Sequence, residues 1–205
     1  MNLKEAKEIT GGLSSPSKMP GYAYNLPAWR CITGVKLQAV AGSVCAGCYA
    51  MKGRYRFRNV KDALNRRLNA LTHPQWVDAM VVLVTHYSKK VPFFRWHDSG
   101  DLQGVYHLMN IFEVCIRTPQ IQHWMPTREV KILKGIQPES VPKNLIIRVS
   151  SHMIDQGPVS HNTWPHTSTV VRAGKTCPAQ EQGNQCGSCR QCWDKTVNNI
   201  AYPKH

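Results

Sequence analysis

From residue 92 onward the chain repeats one unit: a short apolar run, a polar turn, then a stretch with helical period. Residues 92–96 read as a strand, and the turn His97-Asp98-Ser99-Gly100-Asp101 follows it. A helix over 102–117, capped by Asp101, carries the stripe Val105, Leu108, Met109, Phe112, Cys115 and Ile116. A strand at 121–125 leads through Pro126-Thr127-Arg128-Glu129 to a short helix ending at Gly135. Further strands fall at 144–149 and 168–172. This βαβ rhythm predicts an α/β fold with a mainly parallel sheet, either a partial (β/α) barrel or an open sheet.

Upstream the period is helical or absent. Residues 11–30 mix Gly, Pro and Ser with aromatics and read as an ordered loop anchored by Tyr22, Tyr24 and Trp29, with a first short strand near 26–32. Asn59 is placed to cap a helix to about Leu71 with the stripe Val60, Leu64, Leu68 and Leu71. A second helix starts near Pro74 and aligns Trp76, Met80, Val84 and Tyr87. At 205 residues this is one domain: an N-terminal loop region to residue 50, an α/β core over 51–175 and a cysteine-rich tail over 176–205.

Parallel α/β sheets place their working residues in the loops after the strands' carboxyl ends. Those loops carry His97, Asp98, Ser99, Gly100 and Asp101, then Thr127, Arg128 and Glu129, then Ser150, Ser151 and His152. Helix capping accounts for part of this set. Four polar turns in succession, counting the cysteine loop, exceed what capping requires. His97 and Asp98 are the candidate catalytic pair.

Seven of the eight cysteines form two sets. Cys45 and Cys48 have metal-ligand spacing, with Gly42 and Gly47 supplying a pliant backbone and Cys31 a candidate third ligand. Three thiolates leave one iron of a [4Fe–4S] cluster without a protein ligand. Cys177, Cys186, Cys189 and Cys192 form a second set that can close a zinc site or fully ligate a [4Fe–4S] cluster. A single zinc site shared by Cys45, Cys48, Cys189 and Cys192 is a third arrangement. Cys115 lies on a helix stripe and is assigned to the core.

The start of the chain has no signal-peptide pattern, and its longest aliphatic run, 81–84, is far short of a membrane span. A cytoplasmic protein follows, with thiols kept as ligands rather than disulfides. The net charge of +14, from 26 basic and 12 acidic side chains, favours an anionic partner such as a nucleotide or nucleic acid. Residues 52–58, if extended, present Lys52, Arg54, Arg56 and Arg58 on one face and Tyr55 and Phe57 on the other. Arg66 and Arg67 continue the basic stretch.

The strings Gly11-Gly-Leu-Ser, Lys18-Met-Pro-Gly-Tyr-Ala-Tyr, Cys45-Ala-Gly-Cys-Tyr-Ala, Arg95-Trp-His-Asp-Ser-Gly-Asp, Ile147-Arg-Val-Ser and Cys186-Gly-Ser-Cys-Arg-Gln-Cys-Trp-Asp resemble the phage and prophage gene product 88 family. The resemblance spans nearly the whole chain and implies a phage origin, hence the host cytoplasm. More distantly, the order of cysteine loop, α/β repeats and terminal cysteine set is similar to compact radical S-adenosylmethionine enzymes with an auxiliary cluster. That likeness implies a [4Fe–4S] cluster on Cys31, Cys45 and Cys48. It also implies an S-adenosylmethionine site, with Ser99, Gly100 and Asp101 at the amino group and Arg128, Ser150 and His152 at the carboxylate and ribose. The pattern departs from that superfamily: thirteen residues separate Cys31 from Cys45, and Gly47 stands where an aromatic residue is usual. A zinc protein that binds nucleic acid without catalysis is the alternative. A metal-dependent hydrolase built on His97, Asp98, Asp101 and His152 ranks below both.

Overall fold

The computed structural model describes residues 1–159 and 164–204. Its centre is a six-stranded, all-parallel sheet whose strands lie side by side in chain order. They are β1 (Tyr22–Ala23), β2 (Phe93–Arg95), β3 (Gln122–Thr127), β4 (Leu145–Ser150), β5 (Thr167–Val171) and β6 (Asn199–Pro203). With helices in the crossovers, this sequential order makes a half-barrel. The helices are α1 (Leu3–Thr10), α2 (Ile32–Gln38), α3 (Arg58–Ala70), α4 (Trp76–Tyr87), α5 (Val105–Arg117) and α6 (Val130–Leu133). No helix among the described residues is long and apolar enough to cross a membrane.

The rhythm from residue 92 onward is upheld, with several boundaries moved. The first strand is Tyr22–Ala23 rather than 26–32, because Ala23 pairs with Arg95 while Leu26 is already tied to the turn after β2. α3 begins at Arg58, with Phe57 rather than Asn59 in the cap position. α5 begins at Val105 after Gly104, not at 102 after Asp101. Its buried face is His107, Leu108, Ile111, Phe112, Val114 and Cys115, which leaves Val105, Met109 and Ile116 in water. Residues 52–58 are not extended. A 3-10 turn, Gly53–Arg56, runs into α3, so the basic and aromatic side chains do not alternate across two faces. The tail cysteines are not terminal: β6 follows them and pairs with β5, so the cysteine segment is an insertion closed at both ends by the sheet.

Strand alternation sends side chains to two different cores. On the convex side Phe94, Met125, Leu145, Ile147 and Val149 pack with Trp76, Met80 and Val84 of α4 and Leu108, Ile111 and Phe112 of α5. On the concave side Trp124 packs with Met19 and Trp193, joined by Phe93, Cys186, Cys192 and Tyr202. Arg148, fully buried on β4, also faces this side. Its Nε donates to Cys192 O at 3.1 Å. Nη1 reaches Val197 O and Asn198 O at 2.8 and 3.4 Å, and Nη2 reaches Gln191 O and Asp194 O at 2.9 Å each. All five donors of the guanidinium are thus placed on backbone carbonyls of the returning tail.

Three histidines sit in the convex core. Burial lowers His97 to about 4 and His123 to about 3, and holds His107 well below the usual imidazole range. On unfolding each returns to about 6.5, so between pH 4 and 6.5 the unfolded chain binds more protons than the native one. Their contribution to stability is present above about 6.5 and is lost as pH falls toward 4. Asp101, raised to about 6 chiefly by burial, acts in the opposite sense between its usual value and 6, but as one group against three. Urea midpoints are therefore expected to be markedly lower at pH 5 than at pH 7.5. His107→Leu should reduce that slope by up to about one proton. Equal midpoints at the two pH values would contradict the burial of these rings as neutral imidazoles.

Candidate metal centres

The first cysteine set is assembled by the loops at the carboxyl ends of β1 to β4. Cys31 occupies the residue before α2. The α2 amino end is held by Glu129, whose carboxylate accepts from Thr33 N at 2.8 Å and from Thr33 Oγ1 at 2.6 Å. Glu129 is in turn positioned through Thr127, whose Oγ1 accepts from Glu129 N at 3.1 Å and donates to Asp101 Oδ1 at 2.6 Å. Asp101 also accepts from Leu102 N at 2.8 Å and Arg128 N at 2.9 Å. The far half of the cysteine loop is pinned to the turn after β4. Val44 N donates to His152 O at 2.9 Å and Ile154 N to Gly42 O at 3.0 Å, around a bridge between Ser43 and Met153.

These restraints gather the thiols of Cys31, Cys45 and Cys48. A Cβ added to Gly34 would stand 3.5 Å from Cys31 Sγ and 3.7 Å from Cys45 Sγ, so both sulfurs flank one glycine surface. Burial pushes the Cys31 thiol far up, and Asp101, Cys48, Cys45 and Glu129 add to the effect. Burial also raises Cys45, against the opposing charge of Arg128. Three thiols and two carboxylates thus face one another with Arg128 as the nearby cation. A bound cationic centre would relieve that repulsion.

Cys177, Cys186, Cys189 and Cys192 form the second set on the concave side. Cys177 and Cys189 are electrostatic neighbours of Cys186, and Cys177 is also a neighbour of Cys192. Cys186 N donates to Lys18 O at 2.8 Å, and Cys189 N donates to Cys186 O at 2.9 Å. Cys192 Sγ lies 3.2 Å from the Tyr202 hydroxyl. The thiols therefore group as three and four, and Cys45 and Cys48 are gathered with Cys31 rather than with Cys189 and Cys192. Among the described residues no three His, Cys, Asp or Glu side chains close tightly enough for a single metal ion. A zinc ion, bound at about 2.3 Å to each sulfur, requires a tighter set of thiols than a four-iron cube does.

The remaining candidates are placed as follows. His97 is buried under the rim, its Nδ1 bonded to Tyr24 O and its ring beside His107. Asp98 bridges two elements: Oδ1 accepts from Arg95 Nη1 at 2.7 Å, and Oδ2 accepts from the Tyr55 hydroxyl at 2.8 Å. The Ser99–Gly100 turn is packed against β1's extension. Ser99 Oγ donates to Leu26 O at 2.9 Å, and a Cβ at Gly100 would lie 2.5 Å from Leu26 Cβ. The glycine with φ of 78° thus makes room for Leu26. Ser150 Oγ bonds Ser168 Oγ at 2.8 Å within the sheet. Arg128 Nε donates to Ser151 O at 3.2 Å, and His152 Nε2 lies 3.4 Å from Arg128 O. Lys52, Arg54, Arg56, Arg58 and Arg66 are exposed. Arg67 is buried instead: its Nε and Nη2 donate to Gly12 O at 2.8 Å and Leu13 O at 3.1 Å, so it pins the chain after α1.

A parallel half-barrel that gathers thiols at its carboxyl rim, and a second set in its concave face, defines an α/β protein with two candidate metal centres. The chain belongs to the phage gene product 88 family, whose description, Gene product 88, matches residues 1–195. No curated protein and no solved structure matches it.

The roles of Glu129 and Arg148 were the least visible in sequence, since a carboxylate after a strand or a guanidinium within one carries no sign of its partner. Glu129→Gln replaces a two-oxygen acceptor by one oxygen and is expected to cost about 2 kcal/mol, the scale of a charge-assisted bond. Thr33→Val should cost a similar amount, and the double variant little more than either single one. Additive losses in urea unfolding would show that the pair does not act as one clasp.

Proposed function

We propose that this chain is an iron–sulfur protein of radical S-adenosylmethionine type acting on an anionic substrate, a nucleotide or nucleic acid. The observation that supports it most is the convergence of Cys31, Cys45 and Cys48 at the carboxyl rim of the half-barrel, beside Glu129, Asp101 and Arg128. Three thiolates fit a [4Fe–4S] cluster with one iron free of protein ligands, and the tail set fits a second, fully ligated one. Such a cluster, when bound and reduced, supplies the electron that cleaves the sulfonium of S-adenosylmethionine to a hydrogen-abstracting radical.

The protein's part is orientation and charge. Asp101 has three of its roughly four acceptor positions occupied by Thr127, Arg128 and Leu102, so its main duty is to hold the rim. Arg128 is tied at Nε to Ser151 O. Its Nη groups form no ion pair among the described residues, which leaves them for a carboxylate or phosphate. Arg54, Arg56 and Arg58 are exposed on the segment whose Tyr55 reaches Asp98 in the turn after β2, and they suit phosphate contacts.

Anaerobically isolated protein should be brown and hold about eight iron and eight sulfide per chain, as two four-iron clusters require. Gly34→Ala, whose methyl would stand 2.8 Å from Cys31 Cβ, and Cys48→Ala should each lose about half the iron. Cys48→Ala should also abolish release of 5′-deoxyadenosine from S-adenosylmethionine. Colourless protein holding zinc alone would replace this reading with that of a zinc-binding, nucleic-acid-binding protein.

Nucleic-acid binding should weaken when Arg54, Arg56 and Arg58 are all changed to Gln. The slope of log K against log salt should fall by about three units, near one per phosphate contact. An unchanged slope would remove this segment from the interface.

A further inference from the structure

A cavity of about 760 Å³ shares no lining residue with either thiol set or with the carboxyl rim. Four elements and one turn supply its walls. α1 contributes Lys7 and Glu8, β1 Tyr22, α3 Arg66 and α4 Tyr87, and the turn over residues 11–13 completes the lining. Tyr22 opens β1 and Tyr87 closes α4, the helix before β2. The cavity therefore lies toward the strands' amino ends, away from the rim.

The chain builds this turn with contacts that leave the lining side chains unused. α1 ends at Gly11, with φ of 76°, and a Cβ there would stand 3.0 Å from Arg67 N. Arg67 holds the carbonyls of Gly12 and Leu13 at 2.8 and 3.1 Å. The Tyr24 hydroxyl donates to Thr10 O at 2.7 Å, and Ser14 forms a bridge with Ala23. Gly12, also with φ of 76°, has nothing within 4 Å of its Cβ position, so its backbone meets open space.

The lining combines two kinds of group. The half-buried rings of Tyr22 and Tyr87 have centroids 4.7 Å apart and are inclined at 47°. Lys7 and Arg66 are exposed beside them, with Lys7 Nζ 5.5 Å from the Tyr87 ring centre. Lys7, Glu8 and Arg66 form no ion pair among the described residues. Aromatic faces hold a base by stacking, and adjacent cations hold its phosphate. Glu8, which can only accept, suits an amino group on the edge of the base. We propose that this cavity binds one nucleotide unit, its base against Tyr22 and Tyr87 and its phosphate on Lys7 and Arg66. The inference rests on the reading of an anionic nucleotide or nucleic-acid partner, and on neither thiol set. Arg66 also lies two turns beyond Arg58 on α3, about 12 Å along the helix, so one element connects the cavity to the basic stretch of residues 52–58.

Two probes test it: a fluorescein-labelled single-stranded deoxyoligonucleotide carrying one 5-iododeoxyuridine, and 5-iododeoxyuridine monophosphate alone. Irradiation followed by peptide mapping should place the adduct on Tyr22 or Tyr87. Tyr22→Ala should weaken oligonucleotide binding about tenfold, the scale of one lost base–aromatic stack. Its salt slope should not change, because stacking releases no counterion. Arg66→Gln alters an exposed side chain and should lower that slope by about 0.7, one phosphate contact on a single strand. It decides the matter if Tyr22→Ala fails to fold. With adducts on the tyrosines, equal affinity for the two probes assigns the cavity to a free nucleotide, and binding of the oligonucleotide alone assigns it to a strand. Adducts confined to other residues, or an unchanged slope in Arg66→Gln, overturn the inference and leave the nucleic-acid reading standing. Failure of both probes to bind at low salt overturns both.

Discussion

The Asp101 carboxylate is the contact from which the carboxyl rim is built. It is buried, and it takes hydrogen bonds from Leu102 N, Thr127 Oγ1 and Arg128 N, so the turns after β2 and β3 are bound to one another through a single side chain. Thr127 passes the constraint to Glu129, and Glu129 passes it to Thr33 and the start of α2. Cys31 therefore stands where it does because of a chain of four polar residues drawn from three loops. Burial disfavours the charge on Asp101, and its three donors oppose that effect, which leaves the carboxyl at about 6. At neutral pH it is ionised, and the charge-assisted bonds that hold the rim are at full strength.

Arg148 performs the matching task on the concave face. A guanidinium in a sheet interior is costly to desolvate unless each N–H finds an acceptor. Here the acceptors are carbonyls of residues 191–198, the segment that carries Cys192 and leads into β6. The sheet thus binds the tail through backbone atoms, which explains how a cysteine-rich segment with little apolar content is ordered. Trp193 completes the attachment by donating from Nε1 to Phe94 O at 3.0 Å.

What was legible in the sequence was periodic or locally spaced. The strands at Phe93–Arg95, Gln122–Thr127, Leu145–Ser150 and Thr167–Val171 lie within a few residues of their expected positions, because each is an apolar run with a polar turn behind it. β6 was not visible: Asn199–Pro203 is short, holds a proline and takes its strand character from pairing with β5. α2 was hidden inside the cysteine loop by Gly34, a poor helix former that lies against the sulfurs of Cys31 and Cys45. The rim residues were found, but several of their roles were not. His97 and Ser99 face inward, and Arg67 is a strut, because burial depends on contacts between loops far apart in sequence.

The separation of seven thiols into three and four follows from the same architecture. Each set here is confined by its own short spacings and its own anchor: the turn after β4 for Cys45, and Arg148 and Lys18 for Cys192 and Cys186. Near them Arg95 is paired with Asp98 and lies over the Trp124 ring. The hydroxyls of Tyr49 and Tyr55 donate to the backbone oxygen and the carboxylate of Asp98, and the Tyr202 hydroxyl lies beside Cys192 Sγ. A parallel half-barrel leaves its concave face open, and filling that face with a cysteine-bearing insertion gives the short chain its second core.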